Sequence, residues 1–294
     1  MWFKLYPLKV RVKEALNLCE ERLKDCGIET YKSDCIFYIA HLLGIHPSLL
    51  PLEEEKSFNL LGELEEFVKK RCEERIPVQH LIGEWDCLGR TFKVFPRVLA
   101  PRGATELLVE TVIDLIGERF GDKPLRGLEV GTGTGCISIN LLLEFPNLEM
   151  VGVEVDPVAV ENTLENALLH GVADRLKVLQ GDIFELCPQM VEEGKKFHFL
   201  VSNPPYIAER DREKLPPEVK YENPVALYGG EFGTKFHEYF ARSCKKILHP
   251  EGFIALEFEP FQRERLEEVF TREGWKIEFW EDFAGNPRIL IAFP

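Results

Sequence analysis

An apolar run, Leu128-Glu129-Val130, stops at Gly131-Thr132-Gly133-Thr134-Gly135 and passes straight into a helix-period pattern at Ile137, Leu141 and Leu142. A strand that turns on glycines into a helix is the start of a βα unit. Glycine tolerates positive φ and lets a ligand come close to main-chain N–H groups, so the turn is also a candidate cradle. Its spacing differs from the Gly-x-Gly-x-x-Gly dinucleotide fingerprint, and it lacks the Lys-Ser/Thr of a phosphate-binding loop. From Thr105 onward the helix–strand alternation persists, with strands expected near 126–130, 149–155, 176–179, 197–202, 252–258, 275–280 and 288–293. Such alternation demands an α/β fold built on a doubly wound, mostly parallel sheet.

Carboxylates and acceptors fall at the expected strand ends. Glu154 closes the second strand, about twenty residues after the glycine turn, where a carboxylate can accept both hydroxyls of a ribose. Gly181-Asp182-Ile183 follows the third, and Asp182 is placed to accept an adenine amino hydrogen. After the fourth comes Asn203-Pro204-Pro205-Tyr206. Two prolines remove two N–H donors and fix φ, so the chain stiffens and leaves the sheet. The carbonyl between them and the Asn203 side-chain oxygen are then two acceptors able to grip a planar –NH2 group, with Tyr206 offering an aromatic face beside it.

Together these segments resemble class I S-adenosylmethionine-dependent methyltransferases. Asn-Pro-Pro-Tyr after the fourth strand narrows the resemblance to enzymes acting on an amino or amide nitrogen. The rest of the chain is similar to the release-factor glutamine methyltransferases (the HemK/PrmC family). The similarity runs through Arg75-Ile-Pro77-Val78-Gln79-His80-Leu-Ile-Gly83-Glu84, Leu99 to Glu110, Asn203 to Ile207, Glu222-x-Pro224-x-Ala226-Leu227-x-Gly229-Gly230 and Ala284-Gly285-x-x-Arg288. It implies a seven-stranded Rossmann-like sheet whose last two strands form an antiparallel edge. It also implies methyl transfer from S-adenosylmethionine to N5 of the glutamine in the Gly-Gly-Gln motif of peptide chain release factors. Gly131 to Gly135, Glu154, Asp182, Ile183 and Asn203 would hold the cofactor, and Asn203, Pro204, Pro205 and Tyr206 the substrate amide. Two departures stand out: Pro101-Arg102-Gly103-Ala104-Thr105-Glu106 where members read Pro-Arg-Pro-x-Thr-Glu, and Leu256-Glu257-Phe258-Glu259-Pro260 where members often read Leu-Glu-Ile-Gly. The same slot also suits an exocyclic amino group of a nucleic acid, and the departures also suit a scaffold without catalysis.

Upstream of the sheet, Val10, Ala15, Leu16, Cys19 and Leu23, then Ile36, Ile39, Ala40 and Leu43, then Leu60, Leu61, Leu64 and Val68 recur at helical spacing. Ser33-Asp34 is the expected cap of the second helix and Gly44 its stop. The expected organisation is a helical substrate-recognition domain at 1–80, a β-hairpin linker at 81–100 and the methyltransferase domain at 101–294. The segment 208–230 is long for a loop and is expected to be a substrate-facing flap. With 36 basic against 50 acidic residues the net charge is −14, which argues against a broad nucleic-acid footprint and suits a basic protein partner. Eight cysteines show no Cys-x-x-Cys pair and no histidine at metal-ligand spacing, so free thiols in a reduced compartment and no metal are expected. No apolar run is long enough to span a membrane, and no signal peptide is evident. The basic residues Lys4, Lys9, Arg11 and Lys13 lack the serines of a mitochondrial address, so a cytoplasmic protein is expected, with a mitochondrial one as the alternative.

Overall fold

The computed structural model describes residues 10–294; Lys4 and Lys9 of the basic N-terminal cluster lie outside the described residues. The chain divides into two compact units, one running to Gly83 and taking in Pro216–Tyr221, the other comprising Glu84–Leu215 and Glu222–Pro294.

The first unit is built from β1 (Val10–Arg11), α1 (Val12–Asp25), α2 (Tyr31–Leu43), α3 (Leu50–Glu53), β2 (Ser57–Phe58), α4 (Leu61–Lys69) and α5 (Val78–Ile82). Val12, Ala15, Cys19 and Leu23 give α1 the buried stripe its sequence period requires. Gly44 ends α2 in the left-handed region at φ 64°. The start of α2 differs from expectation. Thr30 precedes its first residue, so Ser33 and Asp34 lie inside the helix rather than capping it. Asp34 is buried instead against Arg71, whose Nε donates to it at 2.8 Å, and Arg71 also reaches Glu218 at 3.3 Å. A buried guanidinium claims the carboxylate that a sequence reading assigns to a cap.

The cysteines of this unit correct a second expectation. Cys19 is disulfide-bonded to Cys35 and Cys26 to Cys72, with Cα separations of 6.0 and 5.6 Å. The partners stand 16 and 46 residues apart, so only the packing of the helices brings them together and spacing rules cannot see them. The other four, Cys87, Cys136, Cys187 and Cys244, are buried thiols. Half the cysteines being paired removes the compositional ground for a reduced compartment.

The second unit begins with a hairpin, β3 (Glu84–Cys87) and β4 (Arg90–Lys93), turning on Leu88 and Gly89 at positive φ. It then alternates: α6 (Gly103–Arg119), β5 (Leu125–Val130), α7 (Cys136–Glu144), β6 (Leu148–Glu154), α8 (Pro157–Leu169), β7 (Leu176–Gln180), α9 (Ile183–Glu192) and β8 (Phe197–Ser202). After α10 (Pro217–Tyr221), which belongs to the first unit, come α11 (Lys235–Ser243), β9 (Leu248–Glu257), α12 (Arg263–Arg272), β10 (Lys276–Glu281) and β11 (Pro287–Phe293). The segment 208–230 is therefore not one loop: it holds α10 and two short 3-10 turns, and Ile207 bridges Tyr228.

The seven strands order as β10-β11-β9-β8-β5-β6-β7, parallel except where β11 runs against both β10 and β9. β8 and β9 feed both faces of the sheet, with Phe199, Val201, Phe253 and Ala255 packing in one apolar layer and Leu200, Ile254 and Leu256 in the other. At Gly127 a Cβ would lie 2.3 Å from the Phe199 ring and 2.4 Å from Met150 Sδ, so the glycine makes room for both. Because β5 is flanked by β8 and β6, the strand order reverses beside it. The carboxyl ends there part into a crevice.

Candidate active site

The carboxyl ends of β5, β6, β7 and β8 open into one cavity of about 410 Å³, within the usual size of small-molecule sites. Gly131 and Gly133 line it, at φ 77° and 55°, and a Cβ on Gly131 would meet only open space. Thr132, Thr134 and Gly135, expected at the ligand, do not line the cavity. Thr132 is buried with its hydroxyl 2.7 Å from that of Thr163, and the Thr134 carbonyl accepts from Asn166 Nδ2 at 2.8 Å. Gly135 caps α7, where a Cβ would lie 3.0 Å from both Ile139 and Thr163. These three shape the turn; Gly131 and Gly133, which alternate with the threonines, face the ligand space.

Glu154 lines the cavity at the end of β6. Its Oε2 accepts from the Gly133 N–H at 3.0 Å, and Oε1 from the N–H groups of Val155 and Asp156 at 2.8 and 3.0 Å. Burial pushes its carboxyl above the usual range, while those three backbone donors hold it down. Oε1 has both lone pairs engaged by these donors, and Oε2, with one, has a further lone pair to offer a ligand hydroxyl. Asp182 and Ile183 also line the cavity; Asp182 Oδ1 caps α9 by accepting from the Phe184 N–H at 2.9 Å, leaving Oδ2 as the acceptor toward a ligand. Lys235, Phe184 and Phe236, which carry no motif, complete this wall, with Lys235 Nζ 4.6 Å from the centre of the Phe184 ring.

At the end of β8, Ser202 Oγ donates to the Val130 carbonyl at 2.6 Å, locking β8 to β5 just before the chain leaves the sheet. Asn203, Pro204 and Pro205 line the cavity, and Tyr206 does not. Tyr206 turns its hydroxyl to Glu257 Oε1 at 3.2 Å, so its expected place as a wall of the slot gives way to a link beneath it. Burial and the Glu257 charge hold that phenol firmly protonated. Asn203 Nδ2 donates to Thr105 Oγ1 at 3.0 Å, and Thr105 Oγ1 donates to Glu257 Oε2 at 2.9 Å. Gln262, 1% exposed, clamps the turn from below through Nε2, which donates to the carbonyls of Tyr206 at 3.0 Å and Gly233 at 2.9 Å. Thr105, Glu257 and Gln262 were not legible as site residues, since each reaches the motif only through the tertiary fold.

The segment after Tyr221 closes the far side. Glu222, 1% exposed, pairs with Arg102 at 2.8 Å. The Asn223 N–H donates to the Arg97 carbonyl at 2.9 Å and its Nδ2 to Asp156 at 2.7 Å.

The family description "Methyltransferase domain" matches residues 122–259 and "PrmC N-terminal domain" residues 14–83. The release factor glutamine methyltransferase of Aquifex aeolicus is 43% identical over 290 residues, covering 97% of this chain and 96% of its own. This chain belongs to the release factor glutamine methyltransferase family. A second member, from Bacillus anthracis, is 33% identical and spans 96% of this chain and 99% of its own. Among solved structures, the hMettl16 catalytic domain in complex with a MAT2A 3'UTR hairpin aligns with a TM-score of 0.54 at 16% identity, covering 79% of this chain and 80% of that one. That likeness is one of fold alone. Membership of the family makes the protein a methyltransferase, and the cavity lies where a doubly wound sheet binds its ligand.

Proposed function

We propose that this methyltransferase transfers the methyl group of S-adenosylmethionine to N5 of the glutamine in the Gly-Gly-Gln motif of a peptide chain release factor. The observation that carries the reading is the direction of the Asn203 amide. Its nitrogen is held by Thr105, which leaves Oδ1 as its acceptor end in a residue that lines the cavity beside Pro204. The cavity suits the cofactor: open glycine backbone at Gly131 and Gly133, the Glu154 carboxylate for ribose hydroxyls, and Asp182 for an adenine amino group. When bound, the cofactor supplies an electrophilic sulfonium methyl.

The chain's own task is the nucleophile, an amide nitrogen whose lone pair is delocalised into its carbonyl. Asn203 Oδ1 and the Pro204 carbonyl accept the two amide hydrogens, orient the nitrogen and stabilise the positive charge that develops on it. Pro204 and Pro205 fix the backbone, so these dipoles are set before substrate arrives. The net charge of −14 suits a basic partner, and residence in the cytoplasm, where a release factor is met, belongs to the same proposal, with the mitochondrion as the alternative.

The test is mass spectrometry of a purified release factor after incubation with the full chain and cofactor. A gain of one methyl group on the glutamine of the Gly-Gly-Gln peptide is expected, and its loss in Asn203→Ala by at least about a hundredfold in rate. An unmodified peptide with the wild-type protein overturns the reading.

A further inference from the structure

We propose that Glu257, acting through the hydroxyl of Thr105, fixes the polarity of the Asn203 amide and so makes the slot an acceptor of amide hydrogens. The inference rests on the function proposed above and assigns Glu257 and Thr105 as positioning residues for it.

An Asn side chain has two nearly isosteric ends, one donating and one accepting. Only one orientation works here: with the –NH2 of Asn203 facing the cavity, a substrate –NH2 would keep the Pro204 carbonyl as its one acceptor and meet a donor where the second acceptor should be. The chain must therefore decide which end faces the cavity, and nothing in Asn203 itself decides it. The decision comes from Glu257, 2% exposed at the carboxyl end of β9. As a carboxylate it can only accept. The Thr105 hydroxyl has a single proton, and with Oε2 at 2.9 Å that proton goes to Glu257. The hydroxyl is then left with lone pairs alone, so Asn203 must present Nδ2 to it, as it does at 3.0 Å. Tyr206 occupies the other carboxylate oxygen, donating at 3.2 Å, so both oxygens have a donor and neither needs another partner. Three links, each with its direction set by the one before, run from a buried charge to the substrate slot.

The groups facing Glu257 come from several elements. Thr105 of α6, Tyr206 of the turn after β8 and Arg288 of β11 favour its charged form, while Glu259 just beyond β9 and burial oppose it. Cys136 of α7 lies within electrostatic reach, and His237 of α11 donates from Nε2 to the Glu257 carbonyl at 2.9 Å. Burial dominates, and the carboxyl is pushed up to about 7. Below that pH Glu257 takes a proton and becomes a donor to Thr105. The hydroxyl proton then turns to Asn203, which answers with Oδ1 and shows its –NH2 to the cavity. Methyl transfer therefore falls as the pH drops through about 7, by about tenfold per unit, although neither the amide nor Asn203 titrates.

Two readouts test this on the full chain. In single-turnover methylation of the release factor at saturating cofactor, the wild-type rate follows an acid limb with its midpoint near 7. Glu257→Gln is expected to lose at least about a hundredfold on the alkaline plateau and to lose the limb, with cofactor affinity within about threefold of wild type. Thr105→Val is expected to match it, and Thr105→Ser, which keeps the hydroxyl, to stay within about tenfold of wild type. Independently of activity, the nitrogen-15 signal of the Asn203 side-chain amide, assigned by its loss in Asn203→Ala, should titrate near pH 7 in the wild type and be flat in Glu257→Gln.

If Glu257→Gln does not fold, the Thr105 pair and the wild-type amide titration decide alone. A Glu257→Gln protein at wild-type rate, a weakened one that keeps the acid limb, equal activity of Thr105→Val and Thr105→Ser, or an Asn203 amide that does not respond to pH overturns the proposal. A wild-type protein that leaves the release factor unmodified overturns the proposed function instead, and the amide titration still reports on the relay.

Discussion

Gly229 sits where a single methyl group should disable the slot without touching the cofactor cradle. Its N–H donates to the Ile207 carbonyl at 2.9 Å, and its φ is one any residue can adopt, so only space forbids a side chain. A Cβ there would lie 2.3 Å from the Pro205 carbonyl oxygen and 2.7 Å from that of Gly233. Both obstacles are backbone. To reach even 3.0 Å from 2.3 Å the Pro205 carbonyl must retreat by 0.7 Å. Gln262 holds the next two points of the same path, the Tyr206 and Gly233 carbonyls, so the movement has nowhere to dissipate but back toward Pro204. A displacement near 1 Å in a positioning group costs about a hundredfold in rate. Gly229→Ala is therefore expected to lower the single-turnover methylation rate by about thirty- to a hundredfold while cofactor affinity changes by less than about threefold. Gly117→Ala, in α6 with open space and ordinary φ, is the control and should gain about 0.5–1 kcal/mol with unchanged activity. Gly229→Ala turning over within twofold of wild type would refute the claim that the turn's carbonyls are held rigidly.

Other perturbations probe the rest of the molecule. Without reductant, four of the eight cysteines should react with a thiol reagent in denaturant, and all eight after reduction; eight in both cases excludes the two disulfides. Reduction should also lower the unfolding transition, since closing loops of 16 and 46 residues contributes about 3 and 4 kcal/mol taken singly. Gly103→Pro should raise stability by about 0.4–1 kcal/mol, because the site is the first residue of α6, follows Arg102 at φ −121° and ψ 156°, and has open space at its Cβ; a lower melting temperature would contradict this. His237 is fully buried, and burial pushes it down to about 4 from its ordinary 6.5, so the unfolded chain takes up a proton that the folded chain refuses. Its contribution is intact above 6.5 and lost as the pH falls toward 4, by about 3 kcal/mol, and the pH dependence of urea unfolding should differ by that amount between wild type and His237→Phe.

How much of this was legible beforehand depended on how local the determining interaction is. The strand after Leu125, its glycine turn and the helix from Cys136 follow from residues within one βα unit, and the sequence placed them within a residue or two. Glu154 and Asp182 were legible because a doubly wound sheet puts every strand's carboxyl end on one side, so position along the strand already implies position in the crevice. Sequence gives adjacency and not direction, so it sets Thr132 and Thr134 at the ligand together with the glycines; in the tight turn the glycines yield the approach, while the Thr132 hydroxyl meets Thr163 and the Thr134 carbonyl accepts from Asn166. Local sequence points Asp34 to a cap because its actual partner, Arg71, stands 37 residues away. Tyr206 shows the same limit within the motif itself. An aromatic beside two prolines suits a wall, yet a phenol on that turn has a nearer use when a carboxylate lies below it, and that carboxylate is 51 residues downstream. Thr105 and Glu257 are 152 residues apart and meet because β9 pairs with β8 while α6 crosses the same end of the sheet. The departure from the family pattern at Phe258-Glu259-Pro260 begins one residue after Glu257, and that at Gly103-Ala104 ends one residue before Thr105. Both leave the two hydrogen-bonding side chains in place. The changes therefore fall on the backbone beside the relay, and its three hydrogen bonds, Thr105 to Glu257, Asn203 to Thr105 and Tyr206 to Glu257, form in spite of them.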